Sequence, residues 1–173
     1  LKEASVIIVL VLGCLVIFLR FGTHQVDGQS MFPTFQSGDR IFIAKDQHPE
    51  RYEIITFEPS DKKGESYIKR VLGVPGRIAV EGTSLFLSSE RIKLTGLNTG
   101  ADLPDGTIKI TVTETVAEEL SSYSTIPPNY YFVEGDNRKH STDSRVFGLI
   151  HSNQIEGVVI WRYFPFSKVG AIR

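Results

Sequence analysis

An apolar run near the N terminus constrains the fold of this chain more than any other feature. The residues from Ala4 to Leu19 include no charged side chain. As an α-helix they would extend about 24 Å, and Arg20 and Phe21 would lengthen the segment toward the roughly 30 Å of a hydrocarbon core. No small-x-small cleavage site follows and no polar face is visible, which disfavours a cleaved leader and a buried amphipathic helix. We therefore expect residues 1–22 to form a membrane anchor, a single N-terminal transmembrane helix.

After the anchor, short apolar segments alternate with turn residues, a texture typical of β-strands. Val116–Leu120 is the exception and favours a short helical turn. We expect strands at Arg40–Lys45, Glu53–Glu58, Ser66–Gly73, Ile78–Glu81, Ser84–Leu87, Ile108–Thr113, Tyr130–Glu134 and Gly157–Phe164.

This pattern predicts an all-β domain over residues 23–173, with mainly antiparallel sheets that form a partly open barrel. Residues 77–129 carry fewer motifs than the rest, and we interpret them as an inserted subdomain. Within them, the polar and glycine-rich Asn98–Gly106 is expected to be an exposed loop.

Composition excludes several classes of protein. The 19 basic and 20 acidic residues give a net charge of −1, so no basic surface for nucleic acid is indicated. The single cysteine, Cys14, rules out an intramolecular disulfide and a cysteine-based metal site. Histidines and carboxylates show no metal-ligand spacing. We therefore expect no metal, no cofactor and no nucleic-acid partner.

A serine stands in a proline-containing turn directly after the anchor. Residues 28–34 read Gly-Gln-Ser-Met-Phe-Pro-Thr, with Ser30 at the centre. Most serines in such turns cap or hydrogen-bond the local backbone, so the stretch alone leaves a nucleophilic and a structural serine both open.

The side chain best suited to activate that serine is Lys69, which lies in an alternating strand. Burial against a sheet would lower its pKa and leave a neutral amine able to take the proton of Ser30. The alternative is a lysine that protects an edge strand from aggregation. A second candidate base, His140, lies within residues 135–145, a polar stretch rich in charged and hydroxyl side chains.

Three stretches together resemble the type I signal peptidases, the membrane-bound leader peptidase family. Ser30–Thr34 matches the nucleophile motif Ser-Met-x-Pro-Thr, and Tyr67–Gly76 matches the lysine motif Tyr-Ile-Lys-Arg-Val-x-Gly-x-Pro-Gly. Gly135–Gly148 matches the third motif, Gly-Asp-Asn-Arg-x-x-Ser-x-Asp-Ser-Arg-x-x-Gly, and Ser37–Arg40 also fits. The resemblance covers the anchor, the motifs and their order, but not residues 77–129.

The resemblance implies a serine endopeptidase that removes signal peptides from exported precursors after an Ala-x-Ala-like site. It implies that Ser30 is the nucleophile, that Lys69 is the general base, and that Ser141 hydrogen-bonds and orients the lysine. It also implies a pair between Asp136 and Arg70. Four residues are expected to brace the loop: Arg70, Asp136, Asp143 and Arg145.

One position departs from the family pattern. Some members carry, two residues before the nucleophile, a serine whose hydroxyl helps to form the oxyanion hole, and this chain has Gly28 there. The Ser30 backbone N–H is then the remaining expected donor.

Substrate is expected to bind as an added strand, with small pockets for the residues one and three positions before the cut. Six residues are expected to contact it: Val26, Asp27, Gly28, Met31, Tyr67 and Ile68.

The aromatic residues near the C terminus are expected to lie partly at the surface and partly in the core. We expect Phe164-Pro165-Phe166 to reach the bilayer interface and Trp161 to lie in the core. The implied protein is single-pass, with its catalytic domain on the trans side of a plasma or thylakoid membrane. Its implied partners are the signal peptides of precursors and the lipid bilayer.

Two other readings stay open. The chain could be a catalytically inactive, membrane-anchored peptide-binding module of the same fold, although intact Ser30, Lys69 and Ser141 disfavour it. It could also be a relative of the self-cleaving SOS repressors, which use a similar serine/lysine pair. The apolar segment and the lack of a DNA-binding helix pair disfavour that relation.

Overall fold

The computed structural model describes residues 2–88 and 106–172, with side chains from residue 6 onward. Its helices are α1 (Lys2–Arg20), α2 (Glu114–Ser121) and α3 (Ser144–Phe147), with 3₁₀ turns at Arg138–His140, Ser152–Gln154 and Phe166–Lys168. Its strands are β1 (Phe21–Gln25), β2 (Arg40–Ala44), β3 (Ile54–Phe57), β4 (Tyr67–Gly73), β5 (Arg77–Glu81), β6 (Ser84–Ser88), β7 (Thr107–Thr111), β8 (Tyr130–Glu134), β9 (Ile150–His151), β10 (Ile155–Phe164) and β11 (Gly170–Ala171).

The larger sheet has the strand order β1-β2-β10-β3-β4-β8-β9, and β11 pairs with β10. Its pairings are antiparallel and it curls into a half-barrel. The expected all-β, mainly antiparallel class is therefore confirmed. One face of this sheet buries an apolar cluster beneath the nucleophile turn, made of Val26, Met31, Phe35, Ile41, Ile43, Ile54, Ile68 and Val159.

The smaller sheet, β5-β6-β7, packs with α2 around a separate apolar cluster. Thr113 begins α2 by accepting a hydrogen bond from the Val116 N–H at 3.4 Å, and Val116, Ala117 and Leu120 are the buried residues of the helix. This helix confirms the turn expected at Val116–Leu120. The proposed boundaries of an inserted subdomain at residues 77–129 remain a prediction.

The eight expected strands are present, with ends that differ from the expectation by at most two residues. Strand β1 was not anticipated, because Gly22, Thr23 and His24 interrupt any apolar alternation there. It forms because its backbone pairs with β2 from Phe21 to Gln25. Of the loop expected at Asn98–Gly106, residues 98–105 lie outside the described residues.

The apolar run is helical, as α1, and its side chains from Val6 to Arg20 are exposed. In the part of the chain that is described, no helix combines the length and apolarity needed to cross a membrane. The expected transmembrane helix is therefore not confirmed.

The expectation that Trp161 lies in the core is wrong, since 41% of this residue is exposed. A register shift in β10 between Val159 and Trp161 places the indole opposite Phe42, which is also exposed. Opposed residues on paired strands share a face, so Trp161 follows Phe42 to the outside.

Candidate active site

The turn that carries Ser30 follows β1 and is held by the third motif. Asn137 donates its backbone N–H to the Ser30 carbonyl oxygen at 2.9 Å and its side-chain amide to the Gln29 carbonyl oxygen at 3.0 Å. Below the turn, Met31 is 1% exposed and packs in the apolar cluster. The Ser30 backbone is thus fixed from both sides, while Ser30 itself is partly exposed.

Lys69, on β4, contacts Ser30 directly. Its Nζ lies 2.8 Å from Ser30 Oγ and also donates to the Ile68 carbonyl oxygen at 3.0 Å. The residue is 4% exposed, and no carboxylate of the described residues forms an ion pair with it. Burial lowers the pKa of Lys69 to about 8, against a smaller raising effect of Asp143. A neutral amine is therefore accessible near neutral pH, next to the hydroxyl that it would deprotonate.

Asp143 is the fully buried centre of the third motif. Its carboxylate accepts hydrogen bonds from Arg145 Nε at 2.8 Å, from an Arg145 terminal nitrogen at 2.9 Å and from the Gly135 N–H at 3.0 Å. Burial acts to raise the pKa of Asp143, but the hydrogen bonds outweigh it and hold the pKa below its ordinary value. The carboxylate therefore stays ionised and ties the two ends of the loop together.

Ser141 lies beside this carboxylate rather than on the lysine. Its Oγ is buried and helps to keep the pKa of Asp143 low, but it makes no hydrogen bond of ordinary geometry within the described residues. A Cβ on Gly135 would overlap both Ser141 Oγ and the Ser30 carbonyl oxygen. Ser141 is thus packed against the Ser30 turn, although the expected hydrogen bond to Lys69 is not formed.

Arg70 and Asp136 form the expected pair. Two guanidinium nitrogens of Arg70 donate to the two oxygens of Asp136 at 2.8 and 2.7 Å, and a third donates to the Tyr52 carbonyl oxygen at 2.8 Å. Thr34 Oγ1 also donates to Asp136. Burial acts to raise the pKa of Asp136, yet these bonds keep it below its ordinary value. The pair joins the nucleophile turn, β4 and the third motif.

Several residues that hold the site were not assigned a role from the sequence. Thr34, Gly135 and Asn137 lie inside the motifs, so their positions were a usable signal. Arg162 has no such signal: from β10 it donates to the Thr34 carbonyl oxygen and to the buried Asp39, both at 2.9 Å. Arg162 thus holds the turn at Thr34, as Asn137 does at Gln29 and Ser30.

A cleft of about 570 Å³ opens in front of Ser30 and Lys69. Five of the six expected substrate contacts line it, whereas Met31 does not. The side chain of Met31 lies in the core below the turn, and its contact with substrate stays a prediction. The five lining residues are Val26, Asp27, Gly28, Tyr67 and Ile68.

His140 also lines the cleft, as an exposed residue. Within the described residues its ring makes no hydrogen bond to Ser30, so the geometry favours Lys69 as the base. The same described part of the chain holds no group of three histidine, cysteine or carboxylate side chains suited to a metal ion.

The backbone conformation at position 28 favours glycine. Its φ is +83°, in the left-handed region, and a Cβ there would meet no atom within 4 Å. The position has room for a side chain, but an L-residue would be strained.

The chain matches the family model described as "Signal peptidase, peptidase S26" over residues 2–164. It is 38% identical to signal peptidase I of Bacillus caldolyticus over 164 residues, 90% of this chain and 87% of that protein. It is 32% identical to signal peptidase IB of Staphylococcus aureus over 155 residues, 84% of this chain and 78% of that protein.

A crystal structure of a signal peptidase I from Enterococcus faecalis is 30% identical and covers 65% of this chain and 97% of its own, with a TM-score of 0.39. At that score the structural likeness carries no weight, and the assignment depends on the sequence matches alone. Those matches extend over nearly the whole chain, so the chain belongs to the signal peptidase family, peptidase S26, and is a serine endopeptidase of the signal peptidase I type.

Proposed function

We propose that Ser30 and Lys69 are the catalytic dyad with which this enzyme cuts signal peptides from exported precursors after an Ala-x-Ala-like site. The observation that carries the proposal is the 2.8 Å contact between Lys69 Nζ and Ser30 Oγ, made by a buried lysine whose pKa falls to about 8. Burial supplies what a lysine needs to act as a base near neutral pH.

The reaction then follows the two-step course of acyl transfer. Neutral Lys69 takes the proton of Ser30 Oγ as the oxygen attacks the scissile carbonyl carbon, and the resulting ammonium gives that proton to the departing amine. The signal peptide is left as an ester on Ser30. Lys69 next deprotonates a water molecule, which attacks the ester, and the resulting ammonium returns the proton to Ser30 Oγ as the signal peptide leaves with a free carboxylate. The Ser30 backbone N–H is the proposed donor to the oxyanion, with no side-chain hydroxyl at Gly28 to assist it.

The third motif has a positioning role in this proposal. Asp143 and Arg145 hold the loop that packs Ser141 against the Ser30 turn, and Asp136 with Arg70 ties this loop to β4. A base and nucleophile held this closely need little reorganisation before reaction.

The membrane anchor stays part of the proposal. The side chains of α1 from Val6 to Leu19 are exposed and apolar, as is Phe166, which is 85% exposed. Phe164 lies 5.5 Å from the guanidinium carbon of Arg40, an aromatic and cationic combination suited to a membrane interface. We therefore retain a single-pass protein whose catalytic domain lies on the trans side. The compared relatives are bacterial, which supports a plasma membrane and leaves the thylakoid alternative without support.

Carbonate extraction and protease protection of the full chain test the anchor. We expect the chain to stay with the membrane fraction and its β domain to be accessible from the trans side alone. Complete release by carbonate with α1 intact would contradict the proposal.

Kinetics on one precursor peptide test the dyad, with wild type compared with Ser30→Ala, Lys69→Ala and Lys69→Arg. Each variant is expected to lose about 10³-fold or more in kcat. Ser30→Ala removes the nucleophile and Lys69→Ala removes the base, while the guanidinium of Lys69→Arg keeps its proton and cannot act as a base. The wild-type rate should rise with pH along a limb near pH 8. His140→Ala is the matched control and should stay active. Activity retained by Lys69→Arg but lost in His140→Ala would replace the dyad with a serine/histidine mechanism.

A further inference from the structure

Thr56 is a polar residue in the apolar wall of the cleft. It lies on β3, opposite Ile68 of β4, and is 2% exposed. Its Oγ1 is buried and has no hydrogen-bond partner among the described residues. Thr56 lines the cleft, and buried hydroxyls are nearly always paired, so the unpaired state of Oγ1 within the described residues is unusual.

The side chains around Thr56 cannot satisfy its hydroxyl. Val26, Ile41 and Ile68 line the same cleft and are 3%, 0% and 7% exposed. The partner that such a hydroxyl lacks can come from a bound ligand whose own polar atom reaches this wall.

The cleft also has a polar end away from the catalytic pair. Ser66, three residues before Lys69, donates to Glu156 Oε1 at 2.8 Å, and His24 lies 3.8 Å from the second oxygen of Glu156. At about 3.3 Å per residue along a strand, Ser66 lies roughly 10 Å from Lys69. Glu156 precedes Gly157, which pairs with Thr56. Thr56 thus lies between the catalytic pair and this polar end.

We infer that Thr56 makes the cleft select a hydroxylated side chain, threonine or serine, three residues before the scissile bond. In an extended peptide the side chains one and three positions before the cut point to the same face, about 7 Å apart. The first lies next to Ser30 and Lys69, so the third reaches toward Thr56 and the polar end. The inference rests on the proposed function, because Ser30 must mark the cut.

The size of the preference follows from the chemistry of a neutral hydrogen bond. Threonine and valine have the same shape, so their comparison isolates the hydroxyl. One net hydrogen bond to a previously unpaired group is worth about 2- to 10-fold in kcat/KM. We expect threonine to exceed valine, and serine to exceed alanine, by this factor at the third position and not at the first.

The experiment uses the full chain in detergent with peptides that differ only at the first or third position before the cut. Wild type is compared with Thr56→Val, which keeps the shape of the residue, and with Thr56→Ser, which keeps its hydroxyl. Thr107→Val is the matched control: Thr107 Oγ1 is also buried and has no partner among the residues that the structure describes, but it lies on β7 of the smaller sheet.

The inference predicts a threonine-to-valine ratio that falls to about 1 in Thr56→Val and is kept in Thr56→Ser and Thr107→Val. A ratio that is unchanged in Thr56→Val, or a preference confined to the first position, would overturn it. If Thr56→Val cleaves no peptide, a Thr56→Ser ratio below half the wild-type value would overturn it, and a retained ratio would support it. Cleavage of the alanine peptide reports the proposed function separately, since it depends on Ser30 and not on the ratio.

Discussion

Lys69 in the cleft and Asp143 in the third motif are both buried, yet the protein treats their charges in opposite ways. Asp143 receives hydrogen bonds from Arg145 and from a backbone N–H, and its pKa falls below the ordinary value. No carboxylate within residues 6–88 and 106–172 forms an ion pair with Lys69, and burial lowers its pKa to about 8 against a smaller raising effect of Asp143. Asp143 therefore keeps its charge and fixes the geometry of its loop, whereas Lys69 can lose its proton near neutral pH.

The same division separates two neighbours on β4. Arg70 donates to both oxygens of Asp136, while Lys69, on the other face of the strand, contacts Ser30. The difference indicates that changes in the paired region should lower stability, and that changes at Lys69 should alter the rate and the pH dependence of stability.

The largest expected stability effect comes from Asp143→Asn. Removing the carboxylate leaves Arg145 without its partner, and breaking a buried pair costs about 3–5 kcal/mol in the free energy of unfolding. Urea unfolding measures this loss. The control is Glu65→Gln, which breaks the exposed pair with Lys62 and should cost less than about 1 kcal/mol. Equal losses would remove the distinction between the two regions.

Low pH should abolish the stabilisation that the ionised Asp143 provides. Because the folded pKa of Asp143 is depressed, its contribution is present above the ordinary pKa of 3.8 and is lost as the pH falls through the folded value. As the pH falls, the free energy of unfolding should therefore decrease less in Asp143→Asn than in wild type.

The next largest effect is on the pH dependence of stability and concerns Lys69→Met. The folded pKa is near 8 and the ordinary value is 10.5, so between these values the unfolded chain binds more protons. The free energy of unfolding of wild type should therefore rise with pH across this window, by about 3 kcal/mol in total. Lys69→Met removes the titrating group and should not show this rise. Identical pH dependence in the two proteins would mean that Lys69 is not desolvated.

The smallest expected effect is that of Gly28→Ser, with Gly28→Ala as its control. Both variants carry the left-handed strain of φ +83°, at about 1–2 kcal/mol, and differ only in the hydroxyl. We expect the kcat of Gly28→Ser to differ from that of wild type by less than about 100-fold. We also expect it to be higher than the kcat of Gly28→Ala. Measured kcat and thermal unfolding separate the rate from the strain. If Gly28→Ser were no faster than Gly28→Ala, an added hydroxyl would have no role as oxyanion donor.

The strands could be predicted from the sequence more completely than the site. Alternating segments such as Ile108–Thr113 predict strands well, since the period of a strand is a local property. The depth of a side chain is not local: Met31 is buried by the cluster beneath its turn, and a register shift in β10 turns Trp161 outward. The resemblance placed Ser30 and Lys69 in one site, which local pattern alone could not do.

Partners across long stretches of sequence were the least predictable. Arg162 reaches Asp39 and the Thr34 carbonyl oxygen, although no motif contains it. Ser141 packs near Asp143 instead of bonding to Lys69, because the loop that carries it folds around the buried carboxylate.

The contacts of Asn137 and Asp136 with the serine turn have a consequence for biosynthesis. They join residues that are 108 and 102 positions apart, so the turn gains its support only when the later part of the chain has been made. A nascent or truncated chain that ends before residue 136 holds both Ser30 and Lys69 but cannot align them. Such a partial chain is therefore expected to lack proteolytic activity.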